Sequence, residues 1–396
     1  MGVVRGAHVR DLSGGRLNRV PRIVQIGKFY PPYRGGIETH LESLCDQVRK
    51  RFDVLVIASN HRTGRSEEVR NGIPVTRLST PFTITTAPVN PSLPAAIRAA
   101  RPDLVHIHLP HPGGVLGVLA SGYRGPLVVT YHSDVVRQRV MSWVFHPFLD
   151  RLLLRASAIV VASPASLEHS PALASHRARC RVVPYGISPD RFERADQWRV
   201  RQLRDRYGDR LVLAVGRLVY YKGFDVLLRA MRGVEGRLLV IGEGPLRAEL
   251  ADQAAVEGVA AKVVFLGDVE NDAVPSFFQA ADVFVLPSVA RSEAFGIVQL
   301  EAMASGTPVV NTSLASGVPW VSQHLKTGLT VPPGDAGALA AAIERLLSDG
   351  ALRQQLGTAG RARVRAEFDV DVMGRRVMEI YDRALRRAGA AAGAVA

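Results

Sequence analysis

Cysteine is scarce in this chain. Cys45 and Cys180 are the only two in 396 residues, and they stand far apart in no paired motif. That excludes a disulfide framework and leaves two small buried hydrophobes suited to a reducing compartment. No apolar run reaches the ~18 residues that a membrane-spanning helix needs. Residues 1–20 mix charge and glycine without an apolar stretch, so no secretory leader is expected and a cytoplasmic location is. Zinc-ligand spacing, an RNA-recognition aromatic motif and a basic zipper are all missing, which argues against a nucleic-acid partner. No Asp-x-Asp pair stands at the end of a strand, where a metal-dependent nucleotide site would need one. Asp369-Val370-Asp371 has the spacing but reads as the chemistry of a helix start.

Positive charge is what the chain has in excess: 50 Lys and Arg against 36 Asp and Glu, a net charge of +14. Such a balance suits a polyanionic partner, such as a phosphorylated substrate or an anionic membrane face. Arginine also far outnumbers lysine, so compositional bias is the rival explanation. Short apolar runs at 22–27, 54–58, 104–107, 127–130 and 158–161 alternate with helical patterns at 37–49 and 94–100. A second series follows at 181–184, 211–215, 237–241, 263–266, 283–286 and 308–311. Buried strands alternating with helices predict an α/β protein with parallel, doubly wound sheets. Two such series predict two Rossmann-like domains facing across a cleft. The expected organisation is a flexible arm over 1–20 and an N-terminal Rossmann-like domain over 21–176. A second Rossmann-like domain follows over 177–371. A helix at 372–387 packs back on the first domain, and a disordered Ala/Gly tail covers 388–396.

The strongest motif runs from Ser292 through Glu293-Ala294-Phe295-Gly296-Ile297 to Glu301 and Met303, directly after an apolar strand. A helix start at the carboxyl end of a sheet leaves backbone N–H groups of Ala294, Phe295 and Gly296 free for hydroxyls or phosphate. Glu293 and Glu301, eight residues apart, would stand about 12 Å apart along a helix. That is too far for a glycosidase pair on one bond, and suits a grip on two ends of one long ligand. Gly35 and Gly36 open another helix, where glycines let backbone approach a phosphate. Arg217 and Lys222 flank the end of the 211–215 strand, placed to offset charge on a diphosphate. Gly242-Glu243-Gly244-Pro245 closes the next strand, and His132-Ser133-Asp134 follows the 127–130 strand. His106, His108 and His111 invite a metal reading, yet no carboxylate or cysteine accompanies them, so no metal is expected.

In this order these words resemble retaining glycosyltransferase family 4, with its GT-B fold and Glu-x7-Glu motif. The supporting words include Gly35-Gly36-Ile37-Glu38, Val183-Pro184-Tyr185-Gly186-Ile187, Gly216-Arg217-Leu218 and Lys222-Gly223, over roughly residues 22–385. The resemblance implies that Arg217 and Lys222 hold the donor diphosphate without metal or cofactor. It also implies that Glu301 holds the ribose and that Glu293 and His132 lie at the transferred sugar. The glycines Gly35, Gly36 and Gly242, with Ala294, Phe295, Gly296 and Ile297, would complete the donor site. A front-face reaction with retention of configuration is expected, the leaving diphosphate helping to deprotonate the acceptor. The resemblance is to bacterial enzymes of surface-polysaccharide synthesis. It implies a GDP-mannose or UDP-hexose donor and a glycan or polyprenyl-diphosphate-linked acceptor. The arginine-aromatic stretch 135–151 suggests a peripheral site on an anionic membrane. A sugar-nucleotide epimerase of the same architecture, or a transferase for small molecules, is the alternative.

Overall fold

The computed structural model of the chain describes residues 19–33, 35–60, 64–84, 87–134 and 139–393. Most of the expected N-terminal arm (1–18), the end of the tail (394–396) and residues 135–138 of the arginine-aromatic stretch lie outside it.

Two sheets form the frame. The first carries eight strands in the order Cys180–Val182, Ala158–Val161, Leu127–Tyr131, Leu104–Leu109, Arg22–Gly27, Asp53–Ser59, Ile73–Leu78 and Ser66–Arg70. Every neighbouring pair is parallel except the last. The second has six parallel strands in the order Val263–Gly267, Arg237–Ile241, Leu211–Val215, Val283–Val285, Val309–Thr312 and Gly328–Val331. Strands Leu104–Leu109 and Leu127–Tyr131 are buried along their whole length, because helices cover both faces and leave no polar side.

Strand order reverses beside Arg22–Gly27 in the first sheet and beside Leu211–Val215 in the second. Crevices open at the carboxyl ends of such strands, where α/β sheets bind ligands. The loops there carry Gly35, Gly36 and His132 in the first domain, and Arg217, Lys222 and Glu293 in the second.

Three expectations need correction. The run at 181–184 does not open the second domain. Cys180–Val182 pairs with Ala158–Val161, and Cys180 and Val183 bury in first-domain clusters, so the boundary lies beyond 177. Gly328–Val331 adds an unforeseen edge strand, because a four-residue run with one glycine carries little periodic signal. The Ala-rich tail is not unstructured from 388: the last helix, Val370–Gly393, continues through it, since alanine is the best helix former.

That last helix does return to the first domain. It seats Met373, Val377, Ile380, Tyr381 and Ala384 in one cluster with Leu41, Leu44, Cys45 and Val48 of the helix Gly36–Val48. Asp369 Oδ1 accepts from the Asp371 N–H at 2.8 Å, the helix-start role expected of this pair. The chain therefore crosses between domains twice, and the crossings touch. Ile187 N–H donates to Phe368 O at 2.9 Å and Val370 N–H to Ile187 O at 2.8 Å.

Candidate active site

The second domain contributes a charged loop pair. Gly216 takes φ +153 at the end of Leu211–Val215, and a Cβ there would lie 3.4 Å from Lys222 Nζ, so the lysine is drawn across the strand end. Gly242 takes φ +126, and its missing Cβ would meet Gly216 O at 2.2 Å; the close approach of two strand-end loops requires glycine. Arg217 is exposed, and its guanidinium has no ion pair among the described residues. Lys222 is not free. Its Nζ stands 2.5 Å from Glu293 Oε2, with both side chains largely shielded. Ser288 Oγ donates to the same oxygen at 3.2 Å. Two residues assigned separately to diphosphate and sugar are thus paired with each other.

The Glu-x7-Glu segment is not one helix. Gly296 takes φ +71, and the helix begins only at Val298, running to Ser305. Glu293 therefore lies in a loop and Glu301 in the first helical turn, so the 12 Å helical rise does not apply. The backbone N–H groups of Ala294, Phe295 and Gly296 have no partner among the described residues, which leaves them as free donors in the loop ahead of the helix Val298–Ser305. Glu301 has no hydrogen-bond or ion-pair partner among the described residues. Burial pushes its carboxyl up to about 7, with Arg191 opposing.

The first domain faces this loop. A Cβ on Gly36 would sit 3.7 Å from Ile297 Cδ1, which places the glycine turn against the donor-side loop. A Cβ on Gly35 would lie 2.2 Å from Glu38 Oε2, so the Glu38 carboxylate folds back over the turn. Burial raises the pKa of that carboxyl, opposed by a bond from its own N–H and by Lys28.

His132 is buried, and both its ring nitrogens are engaged. Nδ1 meets Tyr185 Oη at 2.6 Å, and Nε2 meets His108 Nδ1 at 3.1 Å. Burial holds His132 and His108 well below the usual imidazole range, and His40, His106 and His111 at about 3. All five are neutral near pH 7. Tyr185 lies between the domains: its ring centroid is 4.5 Å from that of His40 and 4.7 Å from that of Phe295. Sequence reasoning quoted Tyr185 inside a motif but gave it no role, and it passed over His40, Gln25 and Tyr381. His40 sits on the apolar face of the helix Gly36–Val48, and that buried polar position was the available signal.

Among the described residues, His40, His108 and His132 are the one group of three that brings metal-ligating atoms within 4.8 Å of one another. The group differs from the His106, His108 and His111 set suggested by spacing. A cation there would break the His108–His132 bond, and no carboxylate belongs to the group. Beside His132 a cavity of about 660 Å³ opens between the domains. Leu109, Pro110, Leu116, Phe145, Phe148 and Leu149 wall it, with Asp134, Arg291 and Ala294 also in its lining.

Two facing Rossmann-like sheets, with both switch points opening on one cleft, define the class: the protein is a GT-B glycosyltransferase. Residues 34–191 match the model of Glycosyltransferase Family 4, and residues 197–363 that of Glycosyl transferases group 1. Within the class, the chain belongs to glycosyltransferase family 4. It is 37% identical to the D-rhamnosyltransferase WbpZ of Pseudomonas aeruginosa, over 68% of this chain and 71% of that protein. It is 30% identical to a GDP-mannose-dependent alpha-(1-6)-phosphatidylinositol monomannoside mannosyltransferase of Mycolicibacterium smegmatis, over 84% of this chain and 91% of that one. Among solved structures, sucrose-phosphate synthase from Thermosynechococcus elongatus superposes with a TM-score of 0.75 at 25% identity, covering 92% of this chain and 98% of that one. No helix among the described residues is long and apolar enough to cross a membrane.

Proposed function

We propose that the protein transfers a hexose from a nucleotide-diphosphate sugar to a glycan or lipid-linked glycan with retention of configuration, without a metal ion or other cofactor. The observation that carries this reading is the Lys222–Glu293 pair, which sets the lysine beside the loop whose Ala294, Phe295 and Gly296 N–H groups have no partner among the described residues, with Arg217 following the same strand, Leu211–Val215, as Lys222. Fixed positive charge and amide donors stabilise the charge that builds on a leaving diphosphate. Glu301, desolvated and without a hydrogen-bond or ion-pair partner among the described residues, suits two ribose hydroxyls. Glu293 and His132 stand at the sugar. In the front-face step the C1–O bond to the diphosphate breaks and the bond to the acceptor oxygen forms on the same face. The acceptor proton passes to the leaving phosphate oxygen. GDP-mannose is the first donor to test, since one relative is named for it, and UDP-hexoses come next. A polyprenyl-diphosphate-linked acceptor on the inner membrane face fits the +14 charge and the apolar cavity beside His132.

The test offers GDP-mannose and UDP-glucose, each with and without a lipid-linked acceptor, and identifies the anomer formed by NMR. A product with the anomeric configuration of the donor supports the proposal. An inverted product overturns the mechanism, and an epimerised nucleotide-sugar without an acceptor overturns the reaction class.

A further inference from the structure

We propose that Tyr185, His108 and Gln25 are positioning residues that fix which ring nitrogen of His132 carries its proton, and thereby make Nδ1 the nitrogen offered to a hydroxyl of the transferred sugar. The inference rests on the reading of His132 as a residue at that sugar.

Behind His132 lies an unbroken buried chain of hydrogen bonds. His108 Nε2 meets Gln25 Oε1 at 3.1 Å, and Gln25 Nε2 donates to Tyr381 Oη at 2.8 Å. Tyr381 Oη meets His106 Nδ1 at 2.6 Å, and His106 Nε2 meets Thr130 Oγ1 at 2.7 Å. The amide of Gln25 sets the direction because its two ends differ: the oxygen only accepts and the nitrogen only donates. His108 must therefore carry its hydrogen on Nε2. A neutral imidazole has one N–H, so His108 Nδ1 accepts, and the donor to it is His132 Nε2–H. That leaves His132 Nδ1 as an acceptor, and Tyr185 O–H donates to it. On the other arm the Tyr381 hydroxyl, having accepted from Gln25, donates to His106 Nδ1, and His106 Nε2–H donates to Thr130. Six links share one sense, with every member in a neutral form.

The cleft end of this chain is Tyr185, whose ring packs on Phe295 in the loop that offers free amides. In this arrangement the tyrosine occupies the one lone pair of His132 that the tautomer leaves available. When the donor loop and Tyr185 shift to admit the sugar, a sugar hydroxyl takes the place of the phenol as the donor to Nδ1. A histidine of the other tautomer would present an N–H there and meet the hydroxyl as an acceptor instead.

The full-length protein labelled with 15N-histidine gives the tautomer directly from long-range 1H–15N correlations, with His132 assigned through His132→Gln. The expected wild-type state is neutral with the hydrogen on Nε2. Gln25→Leu should mix the tautomers and lower kcat about tenfold, the weight of one buried hydrogen bond, with the donor KM within about twofold. Gln25→Glu keeps an acceptor toward His108 and should restore the Nε2–H form. Tyr185→Phe tests the cleft end even where changes at Gln25 impair folding; it should move the His132 Nδ1 resonance, because the phenol is the donor to that nitrogen in the free protein. A wild-type Nδ1–H tautomer, resonances unmoved in both Gln25→Leu and Tyr185→Phe, or kcat unmoved in Gln25→Leu, overturns the proposal. Full turnover in His132→Ala alongside the expected tautomer shifts would instead overturn the placement of His132 at the sugar.

Discussion

Donor affinity is expected to depend on pH through Glu301. Burial raises its carboxyl from 4.5 to about 7, against the opposing charge of Arg191. A carboxylate that accepts from two ribose hydroxyls must be ionised. With a pKa near 7, about one molecule in eleven is ionised at pH 6 and about ten in eleven at pH 8. If only the ionised form binds, the apparent Kd weakens about tenfold from pH 8 to pH 6. Fold stability moves the other way. A carboxyl raised above its unfolded value keeps its proton where the unfolded chain has lost it, so its contribution declines as pH rises from 4.5 through about 7. The assay is calorimetry with the intact nucleotide-sugar and no acceptor, because its doubly esterified diphosphate does not titrate in this range. His40, His106 and His111, held at about 3 chiefly by burial, stay neutral throughout. Glu301→Gln should bind more weakly and show no pH slope. Equal affinity at pH 6 and pH 8, or a slope that survives in Glu301→Gln, would refute the assignment.

Arg217→Ala and Glu293→Ala should each lower turnover by about 10²–10³, the cost of removing one transition-state contact, and near-wild-type rates in both would remove the site from this cleft. Transfer should survive EDTA; a loss that Mg²⁺ or Mn²⁺ restores would replace the Arg217 and Lys222 mechanism with a metal-assisted one. Binding to vesicles with anionic lipid should exceed binding to neutral vesicles and fall as salt rises, at about 1 kcal/mol per basic residue near the surface. Phe148, 46% exposed on the helix Arg139–Arg155, gives the apolar control through Phe148→Ser, and equal sedimentation with both lipids would leave the +14 charge as compositional bias.

Much of the frame was legible because buried parallel strands are short apolar runs with clear ends. The strands Leu211–Val215, Arg237–Ile241 and Ala158–Val161 have the bounds that the sequence predicts. The domain boundary was not legible. Cys180–Val182, with Arg181 at its centre, carries no local sign of which sheet it joins, because strand pairing is a long-range property. The chemistry-bearing words were legible as words, but their partners were not. No local pattern announces that Lys222 meets Glu293 across 71 positions, or that Tyr381 of the last helix reaches His106 and Gln25 under the first sheet. The helix start misplaced at 294 has a local cause, since Gly296 was read as a free amide donor and not as a left-handed break. In the arginine-aromatic stretch 135–151, Arg137 lies outside the described residues, and only the helical backbone is described for Arg139 and Trp143.

The pairing of Lys222 with Glu293 gives the resting cleft an internal counter-ion, and the two partners should not be equivalent on removal. Lys222→Met strands a largely buried carboxylate whose remaining donor is Ser288, which stands at 3.2 Å. Breaking a buried pair in this way costs about 3 kcal/mol. Glu293→Gln keeps an oxygen that accepts from both Lys222 and Ser288, and the lysine left in excess can reach toward the open cleft. The free protein should therefore lose more stability from Lys222→Met than from Glu293→Gln, while the double variant recovers most of the loss. Adding donor reverses the comparison. The diphosphate supplies the counter-charge for Lys222, so Glu293→Gln should be stabilised by nucleotide-sugar nearly as well as the wild type. Lys222→Met should be stabilised far less. Thermal unfolding of the four proteins, with and without nucleotide-sugar, measures both comparisons. Equal stability of the two single variants, or equal stabilisation of both by the donor, would show that the ion pair is an incidental contact and not the resting form of the diphosphate site.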